Sequence, residues 1–234
     1  MVLEPGAFAK VYGRNRRRWW FIAAGVAILL GVNMLLKNLN AVLMIPFFFD
    51  TIGTAVAAAL FGLLPGLLVG VATNGVQELM AGTTMESLPW AICSAATAVI
   101  VWAHVRAGRF RTLRDAALVT VWVALANSAL GAVIATYLYG GVTGVPIDYI
   151  VVGFVTSGRS VLFSTFVARV PSNLVDKGIA VFLAYLAWRQ VAGDRPRHGF
   201  SREAGSDDAG AQRAGRGAGG AVMPPKEASG GAVE

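Results

Sequence analysis

The chain alternates between long apolar stretches and short polar or basic segments. Six of the apolar stretches have close to the roughly 20 residues that a helix needs to cross a bilayer core of about 30 Å. They cover residues 19–36, 41–61, 63–80, 88–105, 113–139 and 171–188. The pattern predicts an all-α integral membrane protein built as a six-helix transmembrane bundle.

A seventh apolar stretch, residues 149–170, carries Arg159 and is interrupted by Gly153 and Gly158. The loop charges decide between six spans and seven. Basic residues form three clusters, within residues 14–18, 106–114 and 189–202. Six spans put all three clusters on one side, which the positive-inside rule assigns to the cytoplasm. We therefore expect 149–170 to be a surface or re-entrant helix before the last span, in a cell-membrane protein with both termini cytoplasmic.

The composition agrees with this assignment. Hydrophobic residues make up 56% of the chain and charged residues 14%, and the mean hydropathy is +0.61. The net charge of +7 does not point to nucleic acid, because the arginines lie beside helix ends where the orientation rule accounts for them. Three regions follow: a basic cytoplasmic N-terminus (1–18), the membrane domain (19–190) and a polar tail (191–234) expected to be disordered.

Polar side chains inside the predicted spans gather at the outer ends. Asp50 follows three phenylalanines and lies one turn beyond Pro46, where we expect the second helix to begin, and Thr54 shares its face. The third span carries its polar residues in its outer half. The last span is expected to begin at Pro171 and has an acidic and a basic residue in its first two turns.

Ionisable groups within spans usually face the protein interior or a water-filled cavity. We therefore predict a substrate pocket that opens outward. The residues assigned to it are Asp50, Thr54, Asn74, Gln77, Glu78, Arg159, Asp176 and Lys177. Lys177 is expected to contact an acidic side chain or an anionic part of the substrate. The alternative is that the polar residues only cap helix ends and hydrogen-bond between helices.

Small residues recur every four positions in two places. One set is Ala23, Ala27 and Gly31 in the first span, and the other is Gly62, Gly66 and Gly70 around the start of the third. This spacing allows two backbones to approach closely. Each set could pack against this chain's own helices or against a partner protein.

The sequence offers no catalytic constellation, so we do not expect an enzyme. His104 and His198 lie at the cytoplasmic end and in the tail, away from the outer carboxylates, so no metal site is predicted. There is no glycine-rich phosphate loop and no sign of a cofactor. Uphill transport would require an energy source on another protein.

Several short motifs resemble the substrate-binding S components of energy-coupling factor transporters, in the branch whose substrates are uncharacterised. They are DTIGT at 50–54, FG at 61–62, GLLVG at 66–70, TN at 73–74, GGVTG at 140–144, SGRS at 157–160 and VDKGI at 175–179. The resemblance covers about residues 19–188. It implies a six-helix protein that captures a vitamin or precursor on the outer side and releases it by toppling in the lipid bilayer.

The same resemblance implies partners. In that family two ATPase subunits drive the toppling through a transmembrane coupling protein, which docks on the small residues of the first helix. Ala23, Ala27 and Gly31 match the spacing of that docking face. A membrane ligand sensor or accessory protein that does not transport is the alternative function.

Overall fold

The structure, a computed structural model, describes residues 16–82 and 85–193. Over this part of the chain it contains seven α-helices and no strand. They are α1 (Arg16–Leu43), α2 (Ile52–Leu60), α3 (Leu63–Ala81), α4 (Ala91–Arg106), α5 (Leu113–Tyr139), α6 (Asp148–Thr156) and α7 (Val161–Gly193), and a 3-10 turn, Leu88–Trp90, leads into α4. The all-α class is confirmed. The predicted disordered tail and most of the basic N-terminus lie outside the described residues.

Four helical segments within the described residues are long and apolar enough to cross a membrane. They are Trp19–Leu43, Leu88–Arg106, Leu113–Tyr139 and Val161–Ala192. These four overlap the predicted first, fourth, fifth and sixth spans and fit a membrane protein. The structure does not confirm six spanning helices. α2 has 9 residues, and α3 has 19 but is not among the four candidates.

The predicted start of the second helix at Pro46 is wrong, because α2 begins at Ile52. Nine residues at about 1.5 Å each span less than half of a roughly 30 Å core. The preceding residues, 44–51, form a connection that we call the cavity loop. Side chains of α1 and α7 bind its backbone in place of helical hydrogen bonds: Asn40 donates to the Phe47 carbonyl (2.6 Å), Asp176 accepts from the Phe49 N–H (2.9 Å), and the Ser172 hydroxyl donates to the Pro46 carbonyl.

The predicted start of the last helix at Pro171 is also wrong, since Pro171 lies inside the 33-residue α7. The stretch 149–170, expected to be one surface helix, is divided between α6 and the first turns of α7. Gly158 (φ 82°) takes the left-handed conformation between them, and the Ser160 hydroxyl accepts from the Phe163 N–H at the start of α7. A proline within a membrane helix is tolerated where neighbouring groups satisfy the freed backbone.

The short helix α2 lies among the longer ones and contacts α1, α3, α4 and α7. Its alanines are buried, and Gly66 of α3 packs so closely that a Cβ there would lie 2.7 Å from the Cβ of Ala58. The second set of small residues thus includes a close internal contact. The first set differs, because Ala23, Ala27 and Gly31 are exposed, and a Cβ on Gly31 would meet nothing within 4 Å.

The two ends of the bundle are chemically different. At one end the loop between α4 and α5 carries Phe110, which is fully buried and packs edge-on against Tyr185 and Trp188 of α7. The arginines at positions 106, 109, 111 and 114 surround this contact in sequence. The cavity loop, the 3-10 turn and residues 140–147 come together at the other end, around a cavity.

Candidate functional site

The cavity lies at the end of the bundle away from Phe110 and has a volume of about 530 Å³. Small-molecule sites typically occupy about 300–1,000 Å³ and combine an apolar lining with a few placed polar groups. This lining has both parts. The aromatic residues are Phe47, Phe48, Trp90 and Tyr139, and the polar or charged ones include Lys37, Asn40, Asp50, Glu86, Thr143 and Arg169.

One wall of the cavity is a pair of stacked rings. The indole of Trp90 and the phenol of Tyr139 lie with centroids 5.9 Å apart and planes inclined by 19°. The Tyr139 hydroxyl donates a hydrogen bond to the Glu86 carbonyl (2.6 Å), so the ring is fixed at both its face and its edge. This wall presents an ordered aromatic surface.

Arg169 of α7 is the largest fully buried side chain that lines the cavity, with 1% of its surface exposed. Its guanidinium carbon lies 5.2 Å from the ring centre of Trp90 and 5.8 Å from that of Phe48. Nη2 donates to the Thr143 hydroxyl at 3.3 Å, whereas Nε is buried without a hydrogen-bond partner. Among residues 16–82 and 85–193, no carboxylate forms an ion pair with it.

Thr143 connects Arg169 to a carboxylate, that of Asp148. Its hydroxyl accepts from Arg169 and donates to Oδ1 of Asp148 (3.2 Å). Oδ2 of Asp148 accepts from the backbone N–H groups of Thr143 (2.7 Å) and Val145 (3.0 Å), which folds the loop back onto the start of α6. The acidic group therefore organises the loop and reaches the arginine only through a hydroxyl.

A second charged group, centred on Lys177, adjoins the cavity. The ammonium nitrogen lies 3.0 Å from Asp50 and 2.6 Å from Asp176, and it donates to the Thr51 hydroxyl at 2.9 Å. The prediction of an acidic partner for Lys177 is confirmed. One partner is Asp50, and the other is Asp176, its own sequence neighbour. Lys177 hydrogen-bonds Asp50 and Thr51 and forms an ion pair with Asp176, so the protein itself supplies the counter-charges of this lysine.

Amide side chains near the cavity connect helices. Asn33, fully buried in α1, donates to the hydroxyls of Thr54 and Thr73 (3.1 Å each) and accepts from the Gly53 N–H at 2.6 Å. Asn74 donates to the Ser94 hydroxyl (3.0 Å) and accepts from Lys37 (3.4 Å). These contacts join α1, α2, α3 and α4 in one network.

The eight predicted pocket residues therefore separate into groups. Asp50 lines the cavity. Lys177 forms an ion pair with Asp50, and Asp176 forms one with Lys177, so these two residues lie behind the lining. Thr54, Asn74, Gln77 and Glu78 have contacts of the kind that the helix-linking alternative describes: Gln77 donates to Asn38, and Glu78 accepts from the backbone N–H groups of Met85 and Ser87. Arg159 is exposed in the turn before α7 and stacks on Phe163. A role in binding stays a prediction for the residues outside the lining.

Sequence reasoning missed Lys37, Trp90, Tyr139 and Arg169. A signal existed for Arg169, because a cation within an apolar helical stretch marks a functional site. It was hidden by the assignment of 149–170 to the membrane surface. Lys37 was placed just beyond the first span, whereas α1 continues to Leu43 and brings it to the cavity.

The arrangement is suited to binding a small molecule. Within the described ranges, no three His, Cys, Asp or Glu side chains are grouped closely enough to hold a metal ion. Comparison with family models, curated proteins and solved structures gave no match to this chain.

Proposed function

We propose that this protein is the substrate-capture subunit of a membrane importer, an S component of the energy-coupling factor type. It binds a small micronutrient at the outer face and delivers it by toppling against a coupling protein. The observation that carries the proposal is the cavity of about 530 Å³ at one end of the helical bundle, lined by aromatic rings and a buried arginine.

The distribution of charge supports an outward-facing cavity. The arginine-rich loop between α4 and α5 lies at the Phe110 end, which the positive-inside rule assigns to the cytoplasm. The cavity lies at the opposite end. A solute would then enter from outside, which is the direction expected of a capture subunit.

The exposed surface of α1 supports the proposal of a partner protein. Only 6% of the most apolar window of α1 is buried, and the exposed set Ala23, Ala27 and Gly31 is not covered by the described helices. Small residues at this spacing let a second helix approach closely in lipid. A coupling protein seated here would link the chain to its two ATPase subunits.

Co-purification tests the assembly. We expect the tagged protein, isolated from its native membranes, to recover a membrane coupling protein and two ATPases. Ala27→Trp should reduce this recovery about tenfold or more, because the indole would hold the partner helix away. Ile28→Trp is the matched control, since Ile28 is also exposed on α1 (66%) but lies outside the small-residue set.

A membrane sensor is the competing function, and it would use the same cavity. Deletion of residues 194–234 separates the two, because a capture subunit keeps solute uptake without its tail whereas a sensor that signals through the tail loses its output. If the wild-type protein recovers no ATPase and supports no uptake, the transport proposal fails.

A further inference from the structure

We infer that the substrate is a small aromatic carboxylic acid whose carboxylate pairs with Arg169 and whose ring packs against Trp90 and Tyr139. The inference rests on the proposed capture function and specifies its substrate class. Its starting point is an arginine that lines the cavity, is 1% exposed and forms no direct ion pair with a carboxylate among the described residues.

A buried guanidinium is stable only when its donors and its charge are matched. Residues 16–82 and 85–193 supply Arg169 with one hydrogen bond, to Thr143, and with the faces of Trp90 and Phe48. Ring faces attract a cation but accept no strong hydrogen bond. Nε has no hydrogen-bond partner among the described residues, so Arg169 is a cavity-lining cation with unused donor capacity that is also fully buried.

On the Lys177 side of the cavity, two cations and two carboxylates balance one another. Lys177 lies between Asp50 and Asp176. Lys37 lines the cavity and donates to the Asn74 amide. These two cations and two carboxylates sum to zero. An anionic ligand is therefore directed away from Lys177 and toward Arg169, with Lys37 as a second cation in the lining.

The surrounding acids limit the ligand's charge. Asp148 reaches Arg169 through Thr143, Asp50 lines the cavity, and Glu86 is a further lining residue. A second negative charge on the ligand would lie close to these carboxylates. A carboxylate matches the planar donor geometry of arginine and carries one charge, which favours it over a dianionic phosphate.

The cavity lining also indicates the chemistry of the rest of the ligand. The stacked Trp90 and Tyr139 offer an extended aromatic surface, and Phe47 and Phe48 come from the cavity loop. Aromatic rings prefer offset-stacked or edge-to-face contacts with other rings. A planar ring that carries a carboxylate would use this wall and Arg169 together.

Matched acid and amide pairs test the inference on the full-length protein in detergent. The probes are benzoate and benzamide, nicotinate and nicotinamide, and indole-3-acetate and indole-3-acetamide, with phenyl phosphate as the dianion. Binding is measured by calorimetry and by thermal stabilisation. We expect at least one acid to bind about tenfold or more tightly than its amide, as a charged hydrogen-bonded pair provides.

Arg169→Gln should weaken binding of that acid by about 10- to 100-fold and bring it close to its amide. Arg189→Gln is the matched control, because Arg189 is an exposed arginine of the same helix and lies outside the cavity lining. The wild-type comparison of acid with amide decides the question even if Arg169→Gln fails to fold.

The inference is overturned if no acid binds, if amides bind as tightly as acids, if phenyl phosphate is preferred, or if a folded Arg169→Gln keeps its affinity. These outcomes are independent of co-purification. A protein that recovers the ATPases yet retains a neutral compound keeps the proposed function and loses the inference. A protein that binds acids without recovering any ATPase loses the proposed function and keeps the assignment of the ligand class.

Discussion

Lys177 shows how one residue joins two distant parts of the chain. Its ammonium group lies between Asp176, its neighbour in α7, and Asp50, which is 127 positions away in the cavity loop. Asp176 in turn accepts from the Phe49 N–H. The pair holds the cavity loop against α7, and this gives Lys177 a structural task whether or not it touches the solute.

Replacement of this lysine should therefore affect folding first. Lys177→Met leaves two carboxylates without their cation, and loss of one partner from a buried ion pair costs about 3–5 kcal/mol. We expect the free energy of unfolding, measured by denaturant titration in mixed micelles, to fall by that amount.

Two further variants test whether unpaired charge causes the loss of stability in Lys177→Met. Lys177→Met combined with Asp50→Asn and Asp176→Asn should recover part of the loss, because neither carboxylate is then left buried without the lysine. Arg159→Met, which removes an exposed cation, should change stability little. Equal stabilities for the single and triple variants would contradict the role of charge.

The sequence permitted an acidic partner for Lys177 to be predicted, because several ionisable groups lie at the same end of the predicted spans, but it did not identify which carboxylates those would be. It did not permit the importance of Arg169 to be predicted. Charge rules locate residues by depth along a helix, and the depth of Arg169 was misjudged once 149–170 was treated as a surface segment.

At the level of elements, α2 depends on the lack of a side chain at Gly53. A Cβ at this position would lie 2.2 Å from the Leu29 carbonyl oxygen of α1, and the Gly53 N–H donates to Asn33. The clash would be with backbone, so α1 and α2 would have to separate.

We expect Gly53→Ala to lower the free energy of unfolding by about 1–3 kcal/mol, the usual cost of overpacking. Gly75→Ala in α3 is the control, because a Cβ there meets nothing within 4 Å. It should leave stability unchanged or raise it by up to about 1 kcal/mol, since alanine favours helix over glycine. Similar losses for both variants would refute the close contact.

Apolar length predicted four of the long helices because those residues face lipid or neighbouring helices along their whole extent. It failed at residues 44–51, where the chain is apolar but not helical. Polar side chains of α1 and α7 bind that backbone, and no local pattern encodes hydrogen bonds from residues far away in sequence.

For the whole molecule, the arrangement of charged and cavity ends predicts an orientation. The described residues contain one cysteine, Cys93, which is buried and free, so a Cys93→Ala background allows single cysteines to be placed. Val142→Cys near the cavity should react with a membrane-impermeant maleimide on intact cells, because Val142 is 54% exposed. Arg109→Cys, in the loop that carries Phe110, should react only after permeabilisation. The reverse pattern would invert the proposed topology.

The way the cavity loop is held has a consequence for how this protein could change over generations. Polar side chains of α1 and α7 hydrogen-bond the backbone groups of Pro46, Phe47 and Phe49 in this loop. Met44, Ile45 and Phe48 line the cavity, and their side chains take no part in those hydrogen bonds. Mutations at these three positions would alter the shape offered to a solute while the loop keeps its path. A new substrate preference could thus arise from a few substitutions among these apolar residues, while the polar residues of α1 and α7 that bind the loop stay unchanged.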